Sequence, residues 1–282
     1  MKLSATLTLC GPPDAPILLR GDLLNNIVLA AKFGFDGVEL HLGRAAEVDG
    51  PAISEACRAS GIAVSTIGTG GVFTRDGLQL IADEREMRER CIGRLQELID
   101  LGKILQGNVI IGSVRGSIPD NGSRTLYEQR FLEGLKRLTE YAGERKVTLL
   151  IEAINRYETN FLNKADEVLA LIDRTDYLNL LVHLDTFHMN IEEVSPAESI
   201  SRCGSALGHI HFADSNRHYP GAGHYAFAET IKALQNNGYD RWIALECLPL
   251  PDAVTAAREG LSITRKMLGN GGPDSSQENN LR

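Results

Sequence analysis

Four side chains able to hold a divalent cation, Glu152, Asp185, His211 and Glu246, each stand directly after a short, mainly apolar run: 149–151, 180–184, 207–210 and 242–245. Runs of this length read as strands buried on both faces, and such a strand has no place for a charge in its interior. Each of the four therefore belongs at the C-terminal end of its strand. If the strands are parallel neighbours, the four side chains converge on one rim, the rim where parallel α/β proteins carry out their chemistry.

Three carboxylates and one imidazole make a hard, oxygen-rich donor set. It suits Mn²⁺ first, with Mg²⁺ or Co²⁺ as substitutes, better than a structural zinc, which would draw on Cys and more His. Crowded carboxylates repel one another, and one divalent cation is the natural way to keep three of them ionised together. A single strand-end acid could equally cap the following helix; capping does not require four on successive strands.

Other polar residues stand close by. His188, three residues past Asp185, is within reach of a substrate held at the metal, or is satisfied within its own loop. Glu158 either accepts from a substrate hydroxyl or pairs with Arg156. Arg217 has the planar fork that grips an oxygen-rich ligand by two parallel hydrogen bonds. Arg115, after the fourth strand, is a weaker candidate of the same kind, and Glu39 and His41 at the second strand are weaker still.

The elements that must position these residues follow a regular rhythm. Strands at 1–10, 37–41, 62–67 and 108–112 alternate with helices at 22–33, 52–60, 83–105 and 123–145. Beyond the strand ending at Glu152, helices at 164–174, 195–203, 227–237 and 253–268 alternate with the last three strands. Eight strands and eight helices favour an α/β fold of one domain, a single (β/α)8 TIM barrel over 1–268, rather than an open doubly wound sheet. The glycines at 68–71 either cradle a phosphate or only permit a sharp turn. The stretch 269–282 is too polar to bury apolar surface and is expected to be a disordered tail.

The 282 residues are 43% hydrophobic and 23% charged, enough chain for one large core. Lys plus Arg number 29 against 37 Asp plus Glu, a net charge of −8 without a basic block, which argues against nucleic acid as a partner. Five scattered cysteines without a CxxC pair point to free thiols in a reducing, cytoplasmic setting. No segment approaches the roughly 20 apolar residues of a membrane span.

Together, Glu152-x-x-Asn155-Arg156-x-Glu158, Asp185-Thr186-Phe187-His188-Met189-Asn190, His209-x-His211 with Asp214-Ser215-Asn216-Arg217-x-x-Pro220-Gly221-x-Gly223, and Glu246 resemble the xylose-isomerase-like barrel superfamily. Within it the chain most resembles the ketose 3-epimerases, the group of D-tagatose and D-allulose 3-epimerases, and their sugar-phosphate relatives. The motifs span 147–250; upstream, the likeness is one of barrel rhythm.

The resemblance implies one divalent metal on Glu152, Asp185, His211 and Glu246, with Glu152 and Glu246 also serving as the acid–base pair. It places His188, Arg217 and Glu158 against the first carbons of a sugar or sugar phosphate and implies a homo-oligomer, dimer or tetramer. Proton loss beside a ketone is slow because the carbanion is unstable, so such an enzyme needs a metal-stabilised cis-enediolate between two carboxylates, one on each face of C3. An aldose–ketose isomerase would use the same groups between C1 and C2. An inositol- or shikimate-type dehydratase is a further alternative on this scaffold. An apurinic-site endonuclease fits less well, since its three-zinc site needs extra histidines after the second and third strands, where only His41 is present. Free and phosphorylated ketoses both remain open.

Overall fold

The computed structural model describes residues 1–269, so the expected tail lies, Gly269 apart, outside the described residues. Its strands are β1 (Lys2–Thr8), β2 (Gly37–His41), β3 (Ala63–Gly68), β4 (Asn108–Ile111), β5 (Leu149–Glu152), β6 (Leu180–Asp185), β7 (Leu207–Phe212) and β8 (Trp242–Leu245). Each pairs in parallel with the next, and β8 pairs with β1, which closes the barrel. A two-residue strand, Leu19–Arg20, runs beside the end of β1 and is too short to carry a sequence signal.

Leu149, Leu150 and Ile151 have no solvent exposure, which is why β5 is one unbroken apolar run. Burying each such side chain contributes on the order of 1.5–3 kcal/mol. Around the barrel lie α1 (Leu23–Phe33), α2 (Gly50–Ser60), α3 (Gly70–Asp76), α4 (Arg85–Leu105), α5 (Arg124–Glu144), α6 (Ala165–Ile172), α7 (Thr186–Glu192), α8 (Pro196–Cys203), α9 (Phe227–Asn236) and α10 (Ala253–Met267). Their ends follow local chemistry: the Asp22 side chain accepts from Asn25 N to start α1, and Gly34 closes it at φ 97°.

Two of the ten helices, α3 and α7, fall outside the expected alternation. Both are single short pieces on the C-terminal rim, where they shape the site. Gly68, just before α3, serves packing: a Cβ there would stand 2.8 Å from His41 Nδ1. None of the helices among the described residues is long and apolar enough to cross a membrane.

Candidate active site

The register brings the four strand-end residues to one height. Asp185 of β6 pairs with His211 of β7, Glu152 of β5 with His183 of β6, and Glu246 directly follows the end of β8. One ligand atom from each of Glu152, Asp185, His211 and Glu246 lies within 4.8 Å of the others, and all four residues are buried. Glu152 has room only because residue 112 is glycine, where a Cβ would meet Glu152 Oε2 at 2.5 Å.

Asp185 divides its two oxygens between structure and site. Oδ1 accepts from Phe187 N at 2.7 Å and caps α7. Oδ2 is buried without a hydrogen-bond partner among the described residues, and so is His211 Nδ1, 3.7 Å from it. His211 Nδ1 also stands 3.5 Å from Glu246 Oε2 and 3.9 Å from Glu152 Oε1.

The electrostatics point the same way. Burial, together with the neighbouring charges of Glu246 and Asp185, pushes Glu152 up to about 8. Burial acts upward on Glu246 too, but His211 and Arg217 outweigh it and hold Glu246 low. For His211 the burial penalty is overcome by Glu39 and Glu246, which raise its proton affinity. Without a cation, then, the cluster limits its own repulsion by keeping protons on Glu152 and His211. Orphaned oxygen and nitrogen donors, three carboxylates and one imidazole fit a divalent cation in place of those protons.

Removing that cation has a thermal consequence. With the metal at about 100 times its Kd, binding adds about 2.7 kcal/mol to the native state, which in a domain of this size is about 5–10 °C of Tm. Calorimetry of the Mn²⁺-loaded and chelator-treated protein reads this; coincident melting curves would contradict a preformed metal site.

The rest of the expected set divides. His188 is buried at the pocket floor, its Nε2 3.8 Å from Glu152 Oε1, and burial lowers its proton affinity despite nearby Asp185. Arg217 joins two candidate residues, donating to Glu246 Oε2 at 3.0 Å and to Glu158 Oε1 at 3.1 Å, with its guanidinium over the Phe187 ring. Its backbone is left-handed, φ 60°, a strained conformation held by Asp214, whose side chain accepts from Ser215 N, Gly221 N and Tyr225 N. Arg156 does not pair with Glu158; it makes a bidentate contact with Glu192.

Arg115 is the correction. It is fully buried and does not line the pocket: Nε donates to Phe161 O, Nη1 to Gly112 O and Glu152 O, and Nη2 to Leu162 O. With its fork committed to backbone carbonyls, it anchors the β5 end instead of holding a substrate.

Glu39, by contrast, is more central than its sequence position suggested. It is buried inside the barrel, with His41 Nε2 and His209 Nε2 each 2.8 Å away and Thr66 Oγ1 also donating to it. His211 Nε2 lies 2.9 Å from its Oε1, at ion-pair distance though off the line of a good hydrogen bond. A carboxylate on the far nitrogen of a metal-ligating histidine is the usual means of orienting the ring. His183 and His209, two residues before Asp185 and His211, point inward in the layer beneath. The period of two along a strand was the available signal for all three.

A pocket of about 210 Å³ opens over these groups, with His41, Glu152, His188, Arg217 and Glu246 on its polar side. Its apolar lining includes Pro12, Pro16, Ile17, Leu42 and Ile154.

A closed parallel barrel with a buried carboxylate–imidazole set at its C-terminal rim defines a class of barrel with metal-capable sites. Residues 27–267 match the family described as xylose isomerase-like TIM barrel, and the chain belongs to that family. Its relatives include a D-psicose 3-epimerase of Agrobacterium fabrum, 30% identical over 223 residues, which are 77% of this chain and 76% of that one. An L-ribulose 3-epimerase of Methylomonas sp. is 35% identical over 155 residues, so this chain spans about half the length of that relative, 54%. Among solved structures, a D-psicose 3-epimerase crystallised in the presence of D-fructose superposes with a TM-score of 0.81 at 24% identity, over 95% of this chain and 100% of that one. At that identity the likeness speaks for the fold.

Proposed function

We propose that the chain is a divalent-metal-dependent ketose 3-epimerase acting on a free ketose. The observation that carries this is the pair Glu152 and Glu246. They come from the ends of β5 and β8, with two strands between them, and their carboxylates converge on His211 at the barrel mouth. Two carboxylates held together at one mouth can serve as acid and base at one reaction centre. One of the two takes a proton from one face of C3 and the other returns one from the opposite face. Exchange of these two roles serves the opposite configuration at C3.

A divalent cation on Glu152, Asp185, His211 and Glu246, Mn²⁺ in preference to Mg²⁺ or Co²⁺, would supply the positive charge that makes proton loss beside a ketone feasible. His188 Nε2, Arg217 and Glu158 supply donors and an acceptor for the oxygens of the first carbons. The names of the relatives support the same reaction class.

The far wall favours a free sugar. Its arginine, Arg75, already pairs with Glu47 at 2.7 Å, which leaves it poorly placed to meet a phosphate dianion. A net charge of −8 supports a small-molecule partner over nucleic acid. Buried free thiols at Cys57, Cys91, Cys203 and Cys247 support a cytoplasmic setting, and a homo-oligomer belongs to the same proposal through family resemblance. The test is an assay of the Mn²⁺-loaded protein on free ketoses and their phosphates, with products identified by NMR. The expected products are C3 epimers of free ketoses; aldose products, or turnover of phosphates alone, would count against the proposal.

A further inference from the structure

We propose, on the 3-epimerase reading above, that Asn155 is a positioning residue that fixes His188 as a neutral hydrogen-bond donor toward the substrate. Asn155 is buried, 1% exposed, in the loop after β5. Its Oδ1 accepts from Tyr157 N at 2.9 Å. Its Nδ2 donates to Glu158 Oε1 at 3.0 Å and lies 2.7 Å from His188 Nδ1.

These contacts allow one orientation of the amide. The backbone N–H of Tyr157 can only donate, so the amide oxygen must face it. The amide nitrogen then faces a carboxylate and a ring nitrogen with two N–H groups, one for each. Turning the amide over would oppose two donors at Tyr157 and place oxygen against the Glu158 carboxylate. His188 Nδ1 must therefore accept, and in a neutral imidazole the proton then sits on Nε2. Nε2 is the nitrogen that faces Glu152 and the pocket.

The loop is held rigidly enough to enforce this. Arg156 N and the Arg156 guanidinium are locked onto Glu192, and Asn155 O accepts from Glu158 N and Thr159 N. One amide thus sets both the tautomer of His188 and the place of Glu158. In the other tautomer Nε2 would carry a lone pair, could no longer donate to a substrate oxygen and would compete with Glu152 for a proton.

The test is long-range ¹H–¹⁵N NMR of ring-¹⁵N-histidine protein loaded with diamagnetic Mg²⁺, with His188→Gln to assign the signal. In the wild type, His188 is expected to show an unprotonated Nδ1 and a protonated Nε2. Asn155→Asp replaces the donor by an acceptor, so Nδ1 should become protonated and kcat should fall about 10–100-fold, with Mn²⁺ affinity retained. A protonated Nδ1 in the wild type would overturn the proposal, and so would an unchanged His188 pattern in Asn155→Asp. The wild-type spectrum decides even if the variant does not fold, and the tautomer is read whether or not the protein turns over a ketose.

Discussion

Glu246→Gln is expected to lower kcat for C3 epimerisation by about 10²–10⁴-fold, the range that a positioned general base contributes. Gln matches Glu in shape, and its carbonyl oxygen can still accept from Arg217 Nη2, which now donates to Glu246 Oε2 at 3.0 Å. The fold and much of the metal affinity should therefore survive, with three unaltered ligands remaining. What disappears is the ability to take a proton, because a neutral amide has no basic lone pair near the operating pH. Steady-state kinetics at saturating Mn²⁺, with metal occupancy measured separately, distinguishes the two effects. A variant that binds Mn²⁺ and turns over within a fewfold of wild type would remove Glu246 from the acid–base pair.

Arg115→Met should destabilise the protein by roughly 3–5 kcal/mol, a fall of about 6–20 °C in Tm. Burial pulls the Arg115 guanidinium down to about 10, still charged at neutral pH, and its charge is distributed over four backbone carbonyls. Met fills similar space but leaves Gly112 O, Glu152 O, Phe161 O and Leu162 O without that donor in a region that water does not reach. Two of those carbonyls, Gly112 O and Glu152 O, lie at the neighbouring ends of β4 and β5, where β5 carries the proposed acid–base residue Glu152, so activity should fall along with stability. Were Arg115 a substrate ligand, KM would rise while the melting temperature held. Thermal unfolding and KM measured on one variant thus separate the two roles.

The barrel and the four-residue cluster were legible because a charge is costly inside a doubly buried strand unless, like Glu39, it is fully partnered. That rule placed Glu152, Asp185, His211 and Glu246 at strand ends, and parallel pairing brought them together. Arg115 was not legible, because its partners at 161 and 162 lie 46 and 47 residues along the chain and are backbone atoms with no sequence signature. Glu39 was underrated for the same reason, since its contact with His209 spans 170 residues. Its spacing of two from His41, repeated in His183 with Asp185 and His209 with His211, held the missing clue that all six share the barrel interior. Helices α3 and α7 were hidden by their brevity; seven residues carry too little periodicity to stand out from a loop.

The most direct test of the account is the reaction of the Mn²⁺-loaded protein with a free ketose in D₂O, with the deuterium position read by NMR. Glu246 and Glu152 acting on opposite faces of C3 require deuterium at C3 of the product, with that centre inverted. Deuterium at C1 or C2 with an aldose product, or an inverted centre with no solvent deuterium at C3 and no exchange of the proton into solvent, would contradict it.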